Sequence, residues 1–133
     1  MDDLNALPAH FSREIVRLRE AGITTWAALA ALDAAMVRSL GRAGGASEAR
    51  LIRLRAQARL VVDVELAPGD AALLLHAGIA TSQGLAQAEP HRLLQQVVRL
   101  QRRLIGAAAV PLDLTTLRGW IRRAASSSSR STN

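Results

Sequence analysis

The sequence contains no cysteine, no lysine and no tyrosine, and its only aromatic residues are one phenylalanine and two tryptophans. Without cysteine, disulfides and thiolate metal sites are excluded, and nothing indicates export to an oxidising compartment. Half of the residues are nevertheless hydrophobic, so the core must consist of Leu, Ala, Val and Ile. This makeup is typical of closely packed helices rather than sheets, and it predicts an all-α fold.

Long apolar runs are also missing. No uninterrupted apolar stretch approaches the ~20 residues that a membrane span requires, and residues 1–3 lack the basic region of a secretion signal. We therefore expect a soluble, cytosolic protein. The length of 133 residues suits one compact domain or two small units that share a core.

Two stretches of the sequence, residues 18–30 and 74–86, share the pattern Gly-Ile-x-Thr-x-x-x-Leu at a distance of 56 residues. In the first stretch, Gly22 can adopt the left-handed backbone that ends a helix, and Ile23 can fold back as its hydrophobic clip. Thr25 is then placed to cap the next helix through its hydroxyl. The repeat predicts two helix–turn–helix units of the same kind.

Apolar residues at helical spacing, interrupted by Gly and Pro, extend this pattern along the chain. They predict two related halves on one shared core, residues 4–62 and 63–125, the second ending in a C-terminal helix. The serine-rich residues 126–133 are expected to be disordered. The predicted helices cover residues 9–21, 25–32, 33–41, 47–62, 70–77, 81–88, 90–105 and 113–125.

The basic residues, all arginine, are distributed unevenly. Residues 1–90 carry nine Arg against ten acids, whereas residues 91–133 carry eight Arg against Asp113 alone, so the formal charge of +6 belongs to the last third. Such asymmetry indicates a polyanionic or acidic partner, although a solvated helix face is the commoner origin of a charge run. The candidate contacts to a nucleic-acid backbone are Arg92, Arg99, Arg102, Arg103, Arg118, Arg122 and Arg123.

Catalysis finds no support in the sequence. The three histidines, His10, His76 and His91, have no partner at metal-ligand spacing, and no phosphate loop or nucleophile motif is present. His76 stands where it could satisfy carbonyls at the end of a helix. We therefore predict no enzyme, no metal and no cofactor.

The two tryptophans have different predicted environments. Trp120 shares helical spacing with Leu117 and Ile121 and is predicted to be a core residue, because aromatic side chains bury a large apolar area. Trp26 follows a helix cap directly. If it is exposed, it becomes a candidate partner-binding residue.

A family resemblance is carried by several of these residues. Leu7-Pro8, followed by Ala-Gly-Ile-Thr-Thr at residues 21–25, resembles the helix-hairpin-helix pattern. Similar units occur in the C-terminal domain of the RNA polymerase alpha subunit and in the N-terminal domains of RecA-like recombinases. More closely, residues 4–125 look like a family of unknown function, common in cyanobacteria, that is built from two such units. The ending of that family is matched by Pro111, Asp113 and the pair Trp120-Ile121.

In nucleic-acid-binding members of the broader superfamily, hairpin glycines let backbone N–H groups approach a phosphate. At the corresponding positions this chain has Ala-His-Phe (residues 9–11) and Glu-Leu-Ala (65–67), so both glycine pairs are missing, and Glu65 would repel a phosphate. Two functions stay open. Either the arginines bind a DNA or RNA backbone without base specificity, or the module is a protein-interaction adaptor that binds an acidic or mixed partner, with Trp26 as a contact. The oligomeric state is left open.

Overall fold

The computed structural model describes residues 11–42, 45–106 and 111–131, and within these ranges every regular element is an α-helix. The prediction of an all-α fold is therefore confirmed. None of the helices described is long and apolar enough to cross a membrane. The eight helices are α1 Ser12–Glu20, α2 Trp26–Ala30, α3 Ala34–Arg42, α4 Glu48–Val64, α5 Pro68–His76, α6 Ser82–Ala86, α7 Pro90–Ile105 and α8 Leu114–Ser131.

The predicted helix bounds agree best where a cap or proline marks them. α7 has the predicted bounds, and Asp33 caps α3 by accepting a hydrogen bond from the Met36 N–H group at 2.8 Å. The start of α5 differs from the predicted helix 70–77, because Pro68 and Gly69 are its first two residues. Proline suits the first position of a helix, where its missing N–H group would have no partner anyway.

The two Gly-Ile turns have the same hydrogen bonds. The N–H group of Ile23 donates to the carbonyl of Leu18 at 2.8 Å, and Ile79 donates to Leu74 at 2.9 Å. Gly22 and Gly78 stand at the left-handed position, with φ of +82° and +91°. Each turn is therefore a Schellman motif that closes a helix, as the repeated sequence predicted.

Helix starts recur at a constant distance in the two halves. α5, α6 and α7 begin 56 residues after α1, α2 and α3, respectively. α8 begins 66 residues after α4, because α7 has 16 residues where α3 has nine and because the connection that follows α7 is longer. At this new distance, Leu51 and Ala58 of α4 correspond to Leu117 and Ala124 of α8, and all four are fully buried.

The buried residues of the described ranges form two clusters. The first contains apolar residues of α1–α3 and the part of α4 up to Ala58, and the second contains residues of α5–α8 and α4 from Leu60 onward. Val61 packs against both. α4 therefore contributes residues to both clusters, and the division into halves 4–62 and 63–125 stays a prediction.

The serine-rich tail differs from the prediction. α8 continues to Ser131, and Ser127 is buried, so the expectation of disorder is wrong for residues 126–131. Extending an existing helix adds one hydrogen bond for each residue that is fixed, which costs much less than nucleating a new helix. Ser127 also follows Trp120 and Ala124 at helical spacing on the buried face. Residues 132–133 lie outside the described ranges.

Candidate nucleic-acid interface

The start of α7 is fixed by Glu89. Its Oε2 accepts a hydrogen bond from the Arg92 N–H group at 2.7 Å, and its Oε1 accepts one from the His91 N–H group at 3.2 Å. These two bonds hold the pKa of Glu89 below its ordinary value, and the bond from Arg92 has the larger effect. The positive charges of the same two residues make a smaller contribution in the same direction. The carboxylate therefore occupies the N-terminal end of α7.

The two sides of α7 are chemically distinct. Leu93 and Val97 are buried in the second cluster. The opposite side carries Arg92, Arg99 and Arg103, which are separated by seven and then four residues and so share one face of the helix. Leu104, predicted for the apolar side, is instead 55% exposed. The exposed polar residues of this face, called the α7 arginine face below, are Arg92, Gln95, Gln96, Arg99, Arg102 and Arg103.

Most guanidinium groups of this face have no partner. Within the described ranges, the side chains of Arg99, Arg102 and Arg103 make no hydrogen bond and no ion pair. Arg92 lies near Glu89, whose charge offsets part of its own. The unneutralised positive charge is therefore concentrated in the C-terminal half of α7. Arginines near a helix C-terminus also favour the helix dipole, which is a structural role that they can have in addition.

The predicted arginines of α8 have different surroundings. All three are exposed, but Arg123 donates from Nε to the carbonyl of Val64 at 2.7 Å and so ties α8 to the end of α4. Arg122 and Arg123 also line a cavity of about 300 Å³ that they share with Ser126 and two acids, Asp63 and Glu65. The seven predicted arginines therefore do not form one uniform surface. Arg118 has no side-chain partner in the described part of the chain.

Trp26 is a core residue, and its predicted role as an exposed partner contact is wrong. It is 1% exposed and belongs to the first buried cluster. Thr25 caps α2 by accepting a hydrogen bond from the Ala28 N–H group at 3.1 Å, which fixes the direction of the first helical residue. The indole Nε1 has no hydrogen-bond partner among the described residues. Trp120, which is 5% exposed, is buried as predicted.

The connection between α4 and α5, which is compared with a hairpin above, has a left-handed residue, Glu65, with φ of +60° and ψ of +47°. Its side chain is exposed, so a carboxylate stands where a phosphate would approach the backbone. Residues 9 and 10 of the first hairpin lie outside the described ranges. The loss of hairpin-mediated phosphate binding therefore stays a prediction.

Three helix N-termini, those of α3, α7 and α8, already have carboxylate acceptors, whereas those of α1 and α5 have no side-chain cap. Asp113 caps α8 through a 2.7 Å bond from the Thr116 N–H group, which holds the pKa of Asp113 below its usual range. Asp33 and Glu89 cap α3 and α7 in the same manner. A phosphate would have to displace a carboxylate to reach the N–H groups at the start of α3, α7 and α8.

Sequence reasoning missed the role of Glu14, which is 2% exposed. Its Oε2 accepts a hydrogen bond from the Ser47 N–H group at 3.0 Å, and its Oε1 lies 3.9 Å from Nη1 of Arg50. Glu14 therefore ties α1 to the start of α4. A signal was present, because Glu14 lies on the same helical face as Phe11 and Leu18, which both face the core.

The arginines of α4 also have structural roles. Arg59 donates to the carbonyls of Ala30 and Leu32 at 3.2 and 3.3 Å, and Arg55 donates to the same Leu32 carbonyl at 3.3 Å. These bonds satisfy carbonyl groups at the end of α2. His76, predicted to satisfy carbonyls, is instead 3.4 Å from Arg53, between its Nδ1 and the Arg53 Nη2.

Within the described ranges, no group of three or more His, Cys, Asp or Glu side chains could hold a metal ion. A comparison with family models matches residues 8–127 to a domain of unknown function, DUF4332. Neither a curated protein nor a solved structure matches the chain. Because the match covers most of its length, the chain belongs to the DUF4332 family, whose function is unknown.

Proposed function

We propose that the protein is a non-catalytic helical module that binds the phosphate backbone of DNA or RNA, without reading the base sequence, through the α7 arginine face. The proposal is carried by one observation, the set of exposed guanidinium groups of Arg99, Arg102 and Arg103 that have no partner among the described residues. The formal charge of +6 favours the same class of ligand.

The expected binding is electrostatic. Each arginine that neutralises a phosphate releases condensed counterions, so the logarithm of the binding constant falls linearly with the logarithm of the salt concentration. About three contacts to duplex DNA give a slope near −3. Contacts to phosphates fix the position of a protein on the duplex but carry no sequence information directly, so all sequences should bind about equally.

The finer features of the family assignment are part of this proposal. The Schellman turns and the recurring 56-residue distance between helix starts support a tandem of helix-hairpin-helix-like units, of the type that we associate with cyanobacteria. A protein that binds nucleic acid in this manner belongs in the cytoplasm. No catalytic step and no cofactor is required.

A protein-interaction adaptor is the second candidate function. It is favoured by the carboxylates that cap α3, α7 and α8 and by the exposed Glu65, because these acids repel phosphates from the backbone N–H groups. Its partner would be an acidic protein that binds to the same arginines. This candidate requires negligible affinity of the parent protein for nucleic acid even at low salt.

The test is fluorescence anisotropy with labelled DNA and RNA of several unrelated sequences, over 20–200 mM salt. The double variant Arg99→Glu and Arg103→Glu is expected to weaken binding of every sequence at least tenfold. It should also make the salt slope shallower by about two, because two phosphate contacts are lost. No measurable binding by the parent protein at the lowest salt would contradict the proposal and leave the adaptor.

The chain offers a matched control in α3. Arg38 and Arg42 are exposed and have the same four-residue spacing as Arg99 and Arg103. The double variant Arg38→Glu and Arg42→Glu lowers the formal charge from +6 to +2, as the α7 variant does. If the affinity for nucleic acid falls equally in both double variants, it depends on net charge alone, and the α7 arginine face has no special role.

A further inference from the structure

All three Phe and Trp side chains of the protein are buried, and the sequence has no tyrosine. Phe11, Trp26 and Trp120 are 9%, 1% and 5% exposed, respectively. Proteins that hold single-stranded nucleic acid without sequence preference combine a basic groove with exposed aromatic rings, on which successive bases stack. Because its aromatic rings face the two cores, this protein offers guanidinium groups but no Phe, Tyr or Trp ring for stacking.

The α7 arginine face is also held rigidly. Glu89 caps the start of α7, and Leu93 and Val97 anchor its other side in the second cluster. At 1.5 Å per residue, Arg99 and Arg103 are about 6 Å apart along the helix axis, and Arg92 is about 10.5 Å before Arg99. A row of cations on an anchored helix is best matched by a ligand whose phosphates are already ordered, because a flexible strand must lose conformational freedom on binding.

We infer that the α7 arginine face selects double-stranded over single-stranded nucleic acid, an inference that rests on the function proposed above. The duplex presents one phosphate charge for about 1.7 Å of its axis and keeps its bases stacked inside. Its phosphates can be contacted by guanidinium groups alone. A single strand with unpaired bases finds no exposed Phe, Tyr or Trp ring that would compensate for ordering it.

The inference is tested by measuring the affinity of the full chain for a 20-base-pair DNA duplex and for a 20-residue oligothymidylate, at equal salt. We expect the duplex to bind at least tenfold more tightly. Equal or tighter binding of oligothymidylate would overturn the inference while leaving the proposed function intact. Failure of both ligands to bind at the lowest salt would instead remove the proposed function, so the two failures are distinguishable.

Charge density alone could favour the duplex, so a competition experiment with a polyanion that is not a nucleic acid is also needed. Heparin is a densely charged but flexible polyanion. At equal concentrations of charge, it is expected to displace the labelled duplex less effectively than unlabelled duplex does. If heparin displaces the labelled duplex as effectively as unlabelled duplex does, charge density is sufficient to explain the preference for the duplex. This result would overturn selection by ordered phosphates.

The exposed imidazole of His91 is next to Arg92 and is the ring on α7 that a base could reach. The variant His91→Ala should leave the ratio of duplex to single-strand affinities unchanged within twofold. A fall in oligothymidylate affinity greater than that would show that His91 is a stacking platform, and it would contradict the inference.

Discussion

The two halves of the molecule have corresponding helices but use their charged side chains differently. In the first half, Arg59 donates to carbonyls at the end of α2, and the buried Glu14 accepts a hydrogen bond at the start of α4. In the second half, Arg99 and Arg103 extend from α7 into solvent without a partner among the described residues. Asp70, which corresponds to Glu14, has no hydrogen-bond partner within the described ranges.

This difference shows that similar sequence patterns can serve folding in one helix and solvent exposure in another. The arginines of α4 and of α7 both follow helical spacing, and composition alone does not separate them. What separates them is the neighbouring element, because the end of α2 lies against α4 and presents unpaired carbonyls to it. A guanidinium group that satisfies a carbonyl is not available to a phosphate, so the α7 arginines are the better candidates for binding.

The largest expected effect on stability is at Glu14. Glu14→Ala removes the hydrogen bond from the Ser47 N–H group to a buried carboxylate and should lower the free energy of unfolding by about 1.5–3 kcal/mol, the usual net value of a hydrogen bond to a charged group. The corresponding Asp70→Ala should change it by less than ~0.5 kcal/mol, as is typical of a surface substitution. Urea denaturation of both variants measures the difference. Equal losses would show that the two acids have equivalent roles.

The two Schellman turns should respond alike, which makes them the point where the halves are most similar. A Cβ atom added at Gly22 or Gly78 would meet no atom within 4 Å, so valine is disfavoured there by backbone strain alone. Gly22→Val and Gly78→Val should each lower the free energy of unfolding by about 1–2 kcal/mol, the cost of a left-handed residue with a side chain. Asparagine, which tolerates this conformation better, is the control.

A marked loss from only one of the two valine variants would show that the turns are not equivalent. Melts of both variants that match the parent protein would show that neither turn controls its helix end.

The expected difference in stability is smaller between the arginine variants of α4 and α7. Arg59→Ala removes two hydrogen bonds to the end of α2 and should cost about 0.5–1 kcal/mol, the net value of such bonds near a surface. Arg99→Ala should leave stability unchanged within ~0.5 kcal/mol but weaken the binding of duplex DNA. Thermal melts and anisotropy on the same two proteins separate these roles. If Arg59→Ala reduced the binding of duplex DNA as strongly as Arg99→Ala, the distinction between structural and binding arginines would be wrong.

The sequence predicts most of the fold because the informative signals are local. Gly22, Thr25 and Asp33 act within a few residues of their own positions, and the structure places each as expected. The roles of Glu14 and Arg59 depend on contacts to residues 33 and 29 positions away, respectively. Spacing within one helix contains no information on such distant partners.

The candidate site is predicted only in part, for the same reason. The exposed side of α7 follows from its helical period, so Arg92, Arg99 and Arg103 could be assigned to one face. Trp26 was wrong as a contact because its environment is set by the first cluster, which contains residues from as far along the chain as Ala58. Arg123 likewise depends on the Val64 carbonyl, 59 residues earlier in the sequence.

The smallest expected effect on stability comes from removing the negative charge of Asp70. Its sign is opposite to that expected for replacing Glu14. Burial without a hydrogen-bond partner raises the pKa of Asp70 above its ordinary value. The folded state therefore binds this proton more tightly than the unfolded state does, and stability falls as the pH rises from below the unfolded pKa, near 4, through the folded pKa. Asp70→Asn removes the charge and should raise the free energy of unfolding at pH 7 by less than ~0.5 kcal/mol.

Urea denaturation of the parent and Asp70→Asn proteins at pH 3 and pH 7 tests this sign. The stability advantage of the variant should be present at pH 7 and vanish at pH 3, where the carboxyl group is protonated in both states. Glu14→Gln should instead destabilise at pH 7, because the amide is a weaker acceptor than the carboxylate for the Ser47 N–H group. A loss of stability at pH 7 in Asp70→Asn would mean that the favourable effect of a negative charge in the first turn of α5 exceeds its desolvation. The two acids would then both stabilise their halves, and the contrast between them would be one of magnitude alone.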